Sequence, residues 1–187
     1  MTPGTDDPQA GDRIRLRRWR DADRAPFAAL NADRRVMEFF PSRPDRRQSD
    51  ALVDRFVAHF AEHGFGLWAV ELPGVAPFIG FVGLSVPGFA AHFTPCVEIG
   101  WRLRREHWGR GYATEAAAEL LRFGLGDAGL DRVVSIRHVD NARSERVMNK
   151  LGLRFEFQAT VPATGQPVAV HAITRHELAV HNGDGTA

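Results

Sequence analysis

A short glycine-containing loop, Trp-Gly-Arg-Gly-Tyr-Ala at residues 108–113, is the stretch whose residue types most directly suggest chemistry. An Ala- and Leu-rich run follows it at helical spacing, so the loop leads into the start of a helix. The first N–H groups of a helix have no intrahelical partners, and the helix dipole adds positive potential there. Because Gly109 and Gly111 have no side chains, a phosphate can approach the main chain, and the stretch predicts an anion site.

Two common phosphate-binding loops do not match this stretch. A P-loop ends in Gly-Lys-Ser/Thr, which is missing here, and a dinucleotide loop requires a third glycine where Thr114 stands. Taken alone, two glycines before a helix are also compatible with a simple bend in the chain. Three arginines nevertheless add positive charge beside the loop: Arg104, Arg105 and Arg110.

Two strands and one helix must position the loop. The run Cys-Val-Glu-Ile-Gly-Trp-Arg-Leu (96–103) before it is predicted to be a strand. The run 131–139 is short and nearly continuously apolar, which favours a strand covered on both faces. Between the two strands, apolar residues recur on one helix face: Ala113, Ala116, Ala117, Leu120, Leu121 and Leu125. A strand–helix–strand unit of this kind places its two strands in parallel.

The rest of the chain predicts one mixed α/β domain over residues 12–180, with flexible tails at 1–11 and 181–187. The element order is strand, two helices, three strands, helix, strand, helix and two strands. Ser49 is predicted to cap the second helix and Gly64 to end it, while residues 167–178 are predicted to form the last strand. The sheet is therefore mostly antiparallel, with helices on both faces and one parallel crossover in the middle.

Composition narrows the class of protein. The 187 residues carry a formal net charge of +1, which gives no electrostatic reason to expect nucleic acid or an anionic membrane as partner. The alternation in the segment 13–17 fits a strand with one solvent-facing side, formed by Arg13, Arg15 and Arg17. Cys96 is the only cysteine and no apolar run approaches the length of a membrane span, so we expect a cytoplasmic protein.

Two segments together resemble the GNAT acetyltransferases. The loop matches their acetyl-coenzyme A motif, Gln/Arg-x-x-Gly-x-Gly/Ala, at the last three positions, although Trp108 replaces the usual first residue. The pattern Trp-Gly-x-Gly-Tyr-Ala-x-Glu-Ala is similar to the Rim-type branch, the ribosomal-protein N-terminal acetyltransferases. The segment Asn-Ala-Arg-Ser-Glu-Arg-Val-Met-Asn-Lys-Leu-Gly from Asn141 resembles the same branch. The resemblance implies the GNAT fold, whose central parallel strands splay around acetyl-CoA.

The resemblance also implies where acetyl-CoA binds. The N–H groups from Gly109 to Thr114 would hold the pyrophosphate, and the pantetheine arm would pair with the strand at Trp101–Leu103. The implied cofactor-binding residues are Trp101, Leu103, Trp108, Gly109, Arg110, Gly111, Tyr112, Ala113, Thr114 and Asn141. No metal is expected, because His59 and His63 lack a third ligand of matching spacing.

The implied reaction is direct transfer of an acetyl group to a primary amine. Glu98 is the candidate base, with three alternatives: an ion pair of Glu98 with Arg137 or another neighbouring arginine, an ordered water as the base, or His138 as the base. The Leu103 N–H is the candidate oxyanion donor. Many relatives use a tyrosine as the acid, but the only tyrosine here is Tyr112 in the loop. Ser144 is the candidate to lie beside the sulfur and assist its departure. The alternative is that Ser144 caps the helix together with Asn141.

The acceptor is not encoded in a recognisable motif. It could be a protein N-terminus or a small-molecule amine, and the loops that would meet it lack an acidic cluster, which disfavours a polycation. Phe39, Phe40 and Trp68 could line the acceptor pocket or belong to the core. A non-catalytic acyl-CoA sensor is the alternative to an enzyme, and either a monomer or a homodimer is compatible with the sequence.

Overall fold

One seven-stranded sheet organises the chain in a computed structural model, which describes residues 8, 11 and 13–183. The strand order is β1-β2-β3-β4-β5-β7-β6. The strands are β1 (Arg15–Arg17), β2 (Leu67–Leu72), β3 (Ala76–Ser85), β4 (Glu98–Leu103), β5 (Arg132–His138), β6 (Arg154–Thr160) and β7 (Pro167–Thr174). The helices are α1 (Arg24–Ala32), α2 (Arg46–His63), α3 (Tyr112–Leu125), α4 (Ala142–Lys150) and α5 (Arg175–His181), with 3-10 turns at Asp21–Asp23 and Arg105–His107.

The central pair β4 and β5 is parallel, whereas every other neighbouring pair is antiparallel. Helix α3 makes the crossover between β4 and β5, as a parallel connection requires. The predicted mixed, mostly antiparallel sheet with one parallel crossover is therefore confirmed.

The sheet has apolar side chains on both faces, so helices cover both. On one face α3 buries Ala116, Ala117, Leu120 and Leu121 completely, and the small alanines let the helix lie close to the strands. Burial of each leucine side chain contributes about 2 kcal/mol. On the other face Phe27 of α1 and Val53 of α2 pack with Phe78 and Phe81 of β3. The docking of α3 holds its N-terminus at the end of β4, where the glycine loop lies.

The predicted cap of α2 is wrong. Asp45 caps the helix instead: its side chain accepts from the Gln48 N–H at 2.7 Å, and the Gln48 side chain accepts from the Asp45 N–H at 2.9 Å. Such a reciprocal pair satisfies two N–H groups that the helix itself cannot. Ser49 lies inside the helix, fully buried, where its hydroxyl accepts from Asn31 Nδ2 at 3.0 Å.

The last predicted strand is too long, because β7 ends at Thr174 and α5 follows. Thr174 and Glu177 form a capping box that starts this helix. The predicted tails lie mostly outside the described residues, which omit 1–7, 9, 10, 12 and 184–187. Within the described part of the chain, no helix is long and apolar enough to cross a membrane.

Candidate active site

A cleft opens where β4 and β5 separate. Their ladder contains a single pair, Glu98 with Val134, and the Val134 N–H donates to the Val97 carbonyl at 2.9 Å. One residue further, the Ser135 hydroxyl donates to the Ile99 carbonyl at 2.9 Å in place of a backbone bond. Beyond Ile99 no β5 backbone pairs with β4. The parallel strands therefore splay, as the resemblance implied.

The splay leaves backbone groups of β4 directed into the cleft. The Arg104 N–H donates to the Ile79 carbonyl of β3 at 2.8 Å. Because alternate residues of an antiparallel strand face the same neighbour, Arg102 and Arg104 turn their N–H groups toward β3. Trp101 and Leu103 then direct theirs toward β5, from which the cleft separates them. An extended molecule lying in the cleft can pair with these groups as an added strand would.

The glycine loop forms an open cradle at one end of the cleft. Gly111 is the N-cap of α3 with φ of 85°, and Gly109 has φ of 73°, a left-handed backbone that favours glycine. Among the described residues no side chain caps the helix, so the N–H groups of its first turn are available to a ligand. A Cβ atom at Gly109 would meet nothing within 4 Å, which shows that the space above the loop is open.

Trp108 ties this loop to the end of β4. Its indole Nε1–H donates to the Leu103 carbonyl at 2.7 Å, and the Arg143 guanidinium lies 4.7 Å from the centre of its ring. The residue that departs from the usual motif therefore joins the loop, β4 and α4 in one arrangement.

The cleft and the loop belong to one cavity of about 780 Å³. Its lining includes β4, the loop, the start of α3, the end of β5 and the start of α4. The following predicted site residues line it: Glu98, Trp101, Leu103, Trp108, Gly109, Gly111, Tyr112, Ala113, Thr114, His138, Asn141 and Ser144. Arg110 is the one predicted site residue that does not, and it lies exposed on the surface.

Glu98 lines the cavity and is partly buried there. Loss of water raises its pKa from 4.5 to about 7, although a hydrogen bond from the Ile136 backbone opposes the rise. Arg137, its suggested ion-pair partner, binds Glu145 and the carbonyls of His138 and Val139. No ion pair within 4 Å reaches Glu98 from the described residues. A carboxyl with a pKa near 7 is suited to accept a proton at neutral pH.

His138 is placed less well to act as a base. Its ring stacks on Phe39 at 5.4 Å, and its Nδ1 accepts from the Asp140 N–H at 3.2 Å. A neutral imidazole whose Nδ1 accepts holds its proton on Nε2, which is then a donor. This arrangement favours Glu98 over His138 for proton removal.

Ser144 and Asn141 lie together at the start of α4. The Asn141 side chain caps the helix by accepting from the Ser144 backbone N–H at 3.1 Å. The Ser144 hydroxyl itself makes no hydrogen bond to any residue in the described part of the chain and lines the cavity. The cap therefore comes from Asn141, and the hydroxyl is available to a ligand.

The model of the acetyltransferase (GNAT) domain family matches residues 13–154 of this chain, and this match decides the family. The chain belongs to the GNAT acetyltransferase family. It is therefore an acyltransferase that depends on acetyl-CoA.

Individual relatives agree with this assignment. The uncharacterized protein YkkB of Bacillus subtilis is 33% identical over 161 residues, which cover 86% of this chain and 91% of YkkB. The uncharacterized N-acetyltransferase YoaA of the same bacterium is 26% identical over 147 residues, 78% of this chain and 81% of YoaA. The structure of Mycobacterium smegmatis RimJ in complex with CoA-disulfide superposes with a TM-score of 0.72 and 22% identity, covering 97% of this chain and 98% of RimJ. That likeness shows the GNAT fold.

Two of the three suggested acceptor-side aromatics line the GNAT cavity. Phe39 and Phe40 do so, whereas Trp68 is 1% exposed and packs in the core against Phe60 and Phe123, with ring centres 4.8 and 5.7 Å away. The suggestion that Trp68 lines the pocket is wrong. Its place in β2, a run in which five of the six residues are apolar, is the signal for core.

His59 has a structural role in this GNAT domain. One ring nitrogen meets the Phe65 carbonyl at 2.9 Å, and the other accepts from the Val86 N–H at 3.1 Å. Both nitrogens are thus engaged with the backbone. Within the described residues, no group of three or more metal-ligating side chains occurs.

Arg102 is a cavity residue that sequence reasoning missed. It lines the GNAT cavity from β4 and lies on the same face of the strand as Glu98. Its alternation with Glu98 and Gly100 was visible in the sequence. Its surroundings were not, because they come from α1 and from the segment before α2.

Proposed function

We propose that this GNAT enzyme is an N-acetyltransferase of the Rim-type branch, transferring acetyl from acetyl-CoA to a primary amine by direct attack. The observation that carries the proposal is the glycine cradle opening onto the splayed strands, with Glu98 in the same cavity. The proposed acceptor is a protein N-terminus or a small-molecule amine. The RimJ structure, with its CoA-disulfide, supports the branch and the cofactor.

The cradle and β4 fit the two ends of coenzyme A. The free N–H groups between Gly109 and Thr114 suit a pyrophosphate, because they combine unsatisfied donors with the positive end of α3. The Trp101 N–H, which points into the cleft, suits an amide carbonyl of a pantetheine arm. Asn141 keeps its side-chain NH₂ available, since only its oxygen caps α4. In this proposal Tyr112 and Ala113 flank the cradle, and Arg110 offers charge from the surface.

Three groups are proposed to carry out the transfer. Glu98 takes a proton from the amine, either directly or through a water, as the new C–N bond forms. The Leu103 N–H donates to the carbonyl oxygen, which gains negative charge as the C–N bond forms and loses it as the C–S bond breaks. The Ser144 hydroxyl relays a proton to the departing sulfur. The proton balance closes because the neutral amine loses one proton to Glu98, the departing sulfur takes up one proton from water through Ser144, and Glu98 then returns its proton to water.

The proposal also covers the cellular compartment and the oligomeric state. Cys96 as the only cysteine suits a reducing compartment, and we infer a cytoplasmic enzyme that acts without nucleic acid or membrane. It acts as a monomer or a homodimer. A non-catalytic acyl-CoA sensor would have no use for a carboxyl with a pKa near 7 beside the cleft.

Two measurements test the proposal. Titration calorimetry with acetyl-CoA checks binding, and release of free thiol with a panel of amines checks transfer, with mass spectrometry to identify the acetylated product. We expect micromolar binding and thiol release that depends on the amine. Tight binding with no amine-dependent release would favour the sensor.

A further inference from the structure

Arg102 is a cation that faces the cavity without a carboxylate partner. Its Nη1 donates to Asn31 Oδ1 at 2.6 Å, and its guanidinium lies 4.1 Å from the ring centre of Phe40 and 5.3 Å from that of Phe81. Its Nε is buried and has no hydrogen-bond partner among the residues that the structure describes. Within the described part of the chain, no carboxylate oxygen lies within 4 Å of it. Burial lowers its pKa to about 10, so it stays charged at neutral pH.

The other enclosed arginines in the described part of the chain are paired. Arg17 binds both Asp23 and Glu71, and Arg137 binds Glu145. Arg143, which also lines the cavity, binds Glu38 at 2.9 Å. A desolvated charge without a counter-ion is costly, so its retention points to a partner that the chain itself does not supply.

The neighbours of Arg102 hold it ready for such a partner. Asn31 is completely buried, and its NH₂ group donates to the buried Ser49 hydroxyl at 3.0 Å, which directs its oxygen toward Arg102. The rings of Phe40 and Phe81 support the flat guanidinium by cation–π contact. The side chain therefore loses little freedom when a ligand binds it.

The position of Arg102 assigns it to the acceptor rather than to coenzyme A. Alternation along β4 places Ile99 and Leu103 on the face that packs with α3, whose N-terminus is the proposed phosphate cradle. Arg102 points to the opposite face, with Phe81 and with Asn31 of α1. Glu98 lies on this same face, four residues away.

We propose that Arg102 binds a carboxylate of the acceptor, so that the substrate class is a primary amine that also bears a carboxylate. The inference rests on the proposed acetyl transfer at Glu98. A guanidinium offers two parallel N–H groups that match a carboxylate. One cation in aromatic surroundings balances a monoanion, whereas a phosphate dianion would leave charge unbalanced. Four strand residues span about 13 Å between the Cα atoms of Glu98 and Arg102, so amine and carboxylate stand several bonds apart.

The test compares acceptors that differ only in the anion. Values of kcat/KM are measured by thiol release for ω-amino acids of increasing length, from glycine to 6-aminohexanoate, and for the carboxamide of each. In the wild type we expect the acid to exceed its carboxamide by roughly 10- to 100-fold at the preferred length, as for a hydrogen bond to a charged group. Arg102→Met, which keeps an apolar stem, should bring that ratio to about 1.

Control variants separate binding from folding. Arg122→Met removes an exposed arginine on α3 and should leave the ratio at its wild-type value. Arg102→Lys keeps the charge without the two-pronged geometry and should give an intermediate ratio. Thermal unfolding and acetyl-CoA affinity are measured for each variant. Should Arg102→Met fail to fold, the Arg102→Lys ratio and the wild-type acid/carboxamide ratio still decide.

Four results would overturn the inference. They are a wild-type ratio near 1 at every length, faster turnover of amines without an anion, faster turnover of aminoalkyl phosphates, and a tenfold loss of acetyl-CoA affinity in Arg102→Met with the ratio preserved. In each of them acetyl transfer itself still occurs. Failure of every amine to release thiol would instead contradict the proposed function, and the two failures are thereby distinguished.

Discussion

Replacing Glu98 with glutamine should slow the reaction and stabilise the fold at the same time. A positioned base contributes about 10²- to 10⁴-fold to rate, so Glu98→Gln should lower kcat by about 10²-fold or more. In the wild type, kcat/KM should fall about tenfold per pH unit below the Glu98 pKa of about 7. This limb should vanish in the variant, whose affinity for acetyl-CoA should remain within about twofold, since the carboxyl is not assigned to cofactor binding.

The stability effect follows from the direction of the pKa shift. The pKa of Glu98 is raised on folding, so the folded state holds the proton more tightly and wild-type stability falls as pH rises from 4.5 through about 7. At 1.36 kcal/mol per unit, the rise from 4.5 to about 7 amounts to about 3 kcal/mol. Glutamine carries no charge. Glu98→Gln should therefore be more stable than wild type above pH 8, by up to about 3 kcal/mol, and equal to it near pH 4.

The assays are a pH series of kcat/KM by thiol release and urea unfolding at two pH values. Glu62→Gln, at a 74% exposed side chain on α2, is the matched control and should change neither quantity. Full activity of Glu98→Gln would refute the assignment and transfer proton removal to water or His138. An unchanged urea midpoint above pH 8 would refute the claim that the carboxyl is desolvated.

Three further predictions concern the cradle and the leaving group. Gly111→Val should weaken acetyl-CoA binding at least tenfold by calorimetry. The control Gly74→Val, with a similar φ of 72° in an open turn, should lower stability alone. An acetyl-CoA affinity of Gly111→Val equal to that of the wild type would place the phosphates elsewhere. Ser144→Ala should lower kcat by up to about 10²-fold with an unchanged melting temperature, because only its backbone joins the helix cap, and a normal kcat would end the catalytic assignment. Trp108→Phe removes the hydrogen bond to the Leu103 carbonyl, so urea unfolding should show a loss of about 1 kcal/mol in the free energy of unfolding. Calorimetry should show a weaker acetyl-CoA complex. An unchanged affinity would contradict the role of Trp108 in holding the loop.

Local patterns in the sequence predicted the elements around the cleft. Strand β4, the crossover helix α3 and strand β5 were all predicted from periodicity and glycine punctuation, and the structure has them at nearly the same residues. The cap of α2 was assigned to the wrong residue because Ser49 and Asp45 are both good capping residues. The neighbour that decides is Gln48, whose side chain completes the capping box with Asp45 and not with Ser49. Helix α5 was missed because Arg175–Leu178 was taken as a continuation of the strand whose apolar run ends at Ile173, although Thr174 and Glu177 carry the spacing of a capping box.

Contacts between distant segments were beyond local reasoning. Arg102 meets Asn31, 71 residues away, and Phe40 from the segment before α2. The pairing of Arg137 with Glu145 rather than Glu98 depends on how β5 and α4 meet. The pKa of Glu98 depends on its enclosure by the cavity walls. Sequence spacing could nominate Glu98 and Ser144, but only the packed fold shows which neighbours they lack.

A crystal structure of the complex with coenzyme A tests the central claim most directly. The account predicts the pyrophosphate on the backbone N–H groups between Gly109 and Thr114, and the pantetheine arm along Trp101 in the gap between β4 and β5. The sulfur should end near the Leu103 N–H and the Ser144 hydroxyl, with Glu98 open on the acceptor side. Coenzyme A bound elsewhere, for example in the smaller cavity beside α5 and Gly152, or β4 and β5 closed into a continuous ladder, would contradict it.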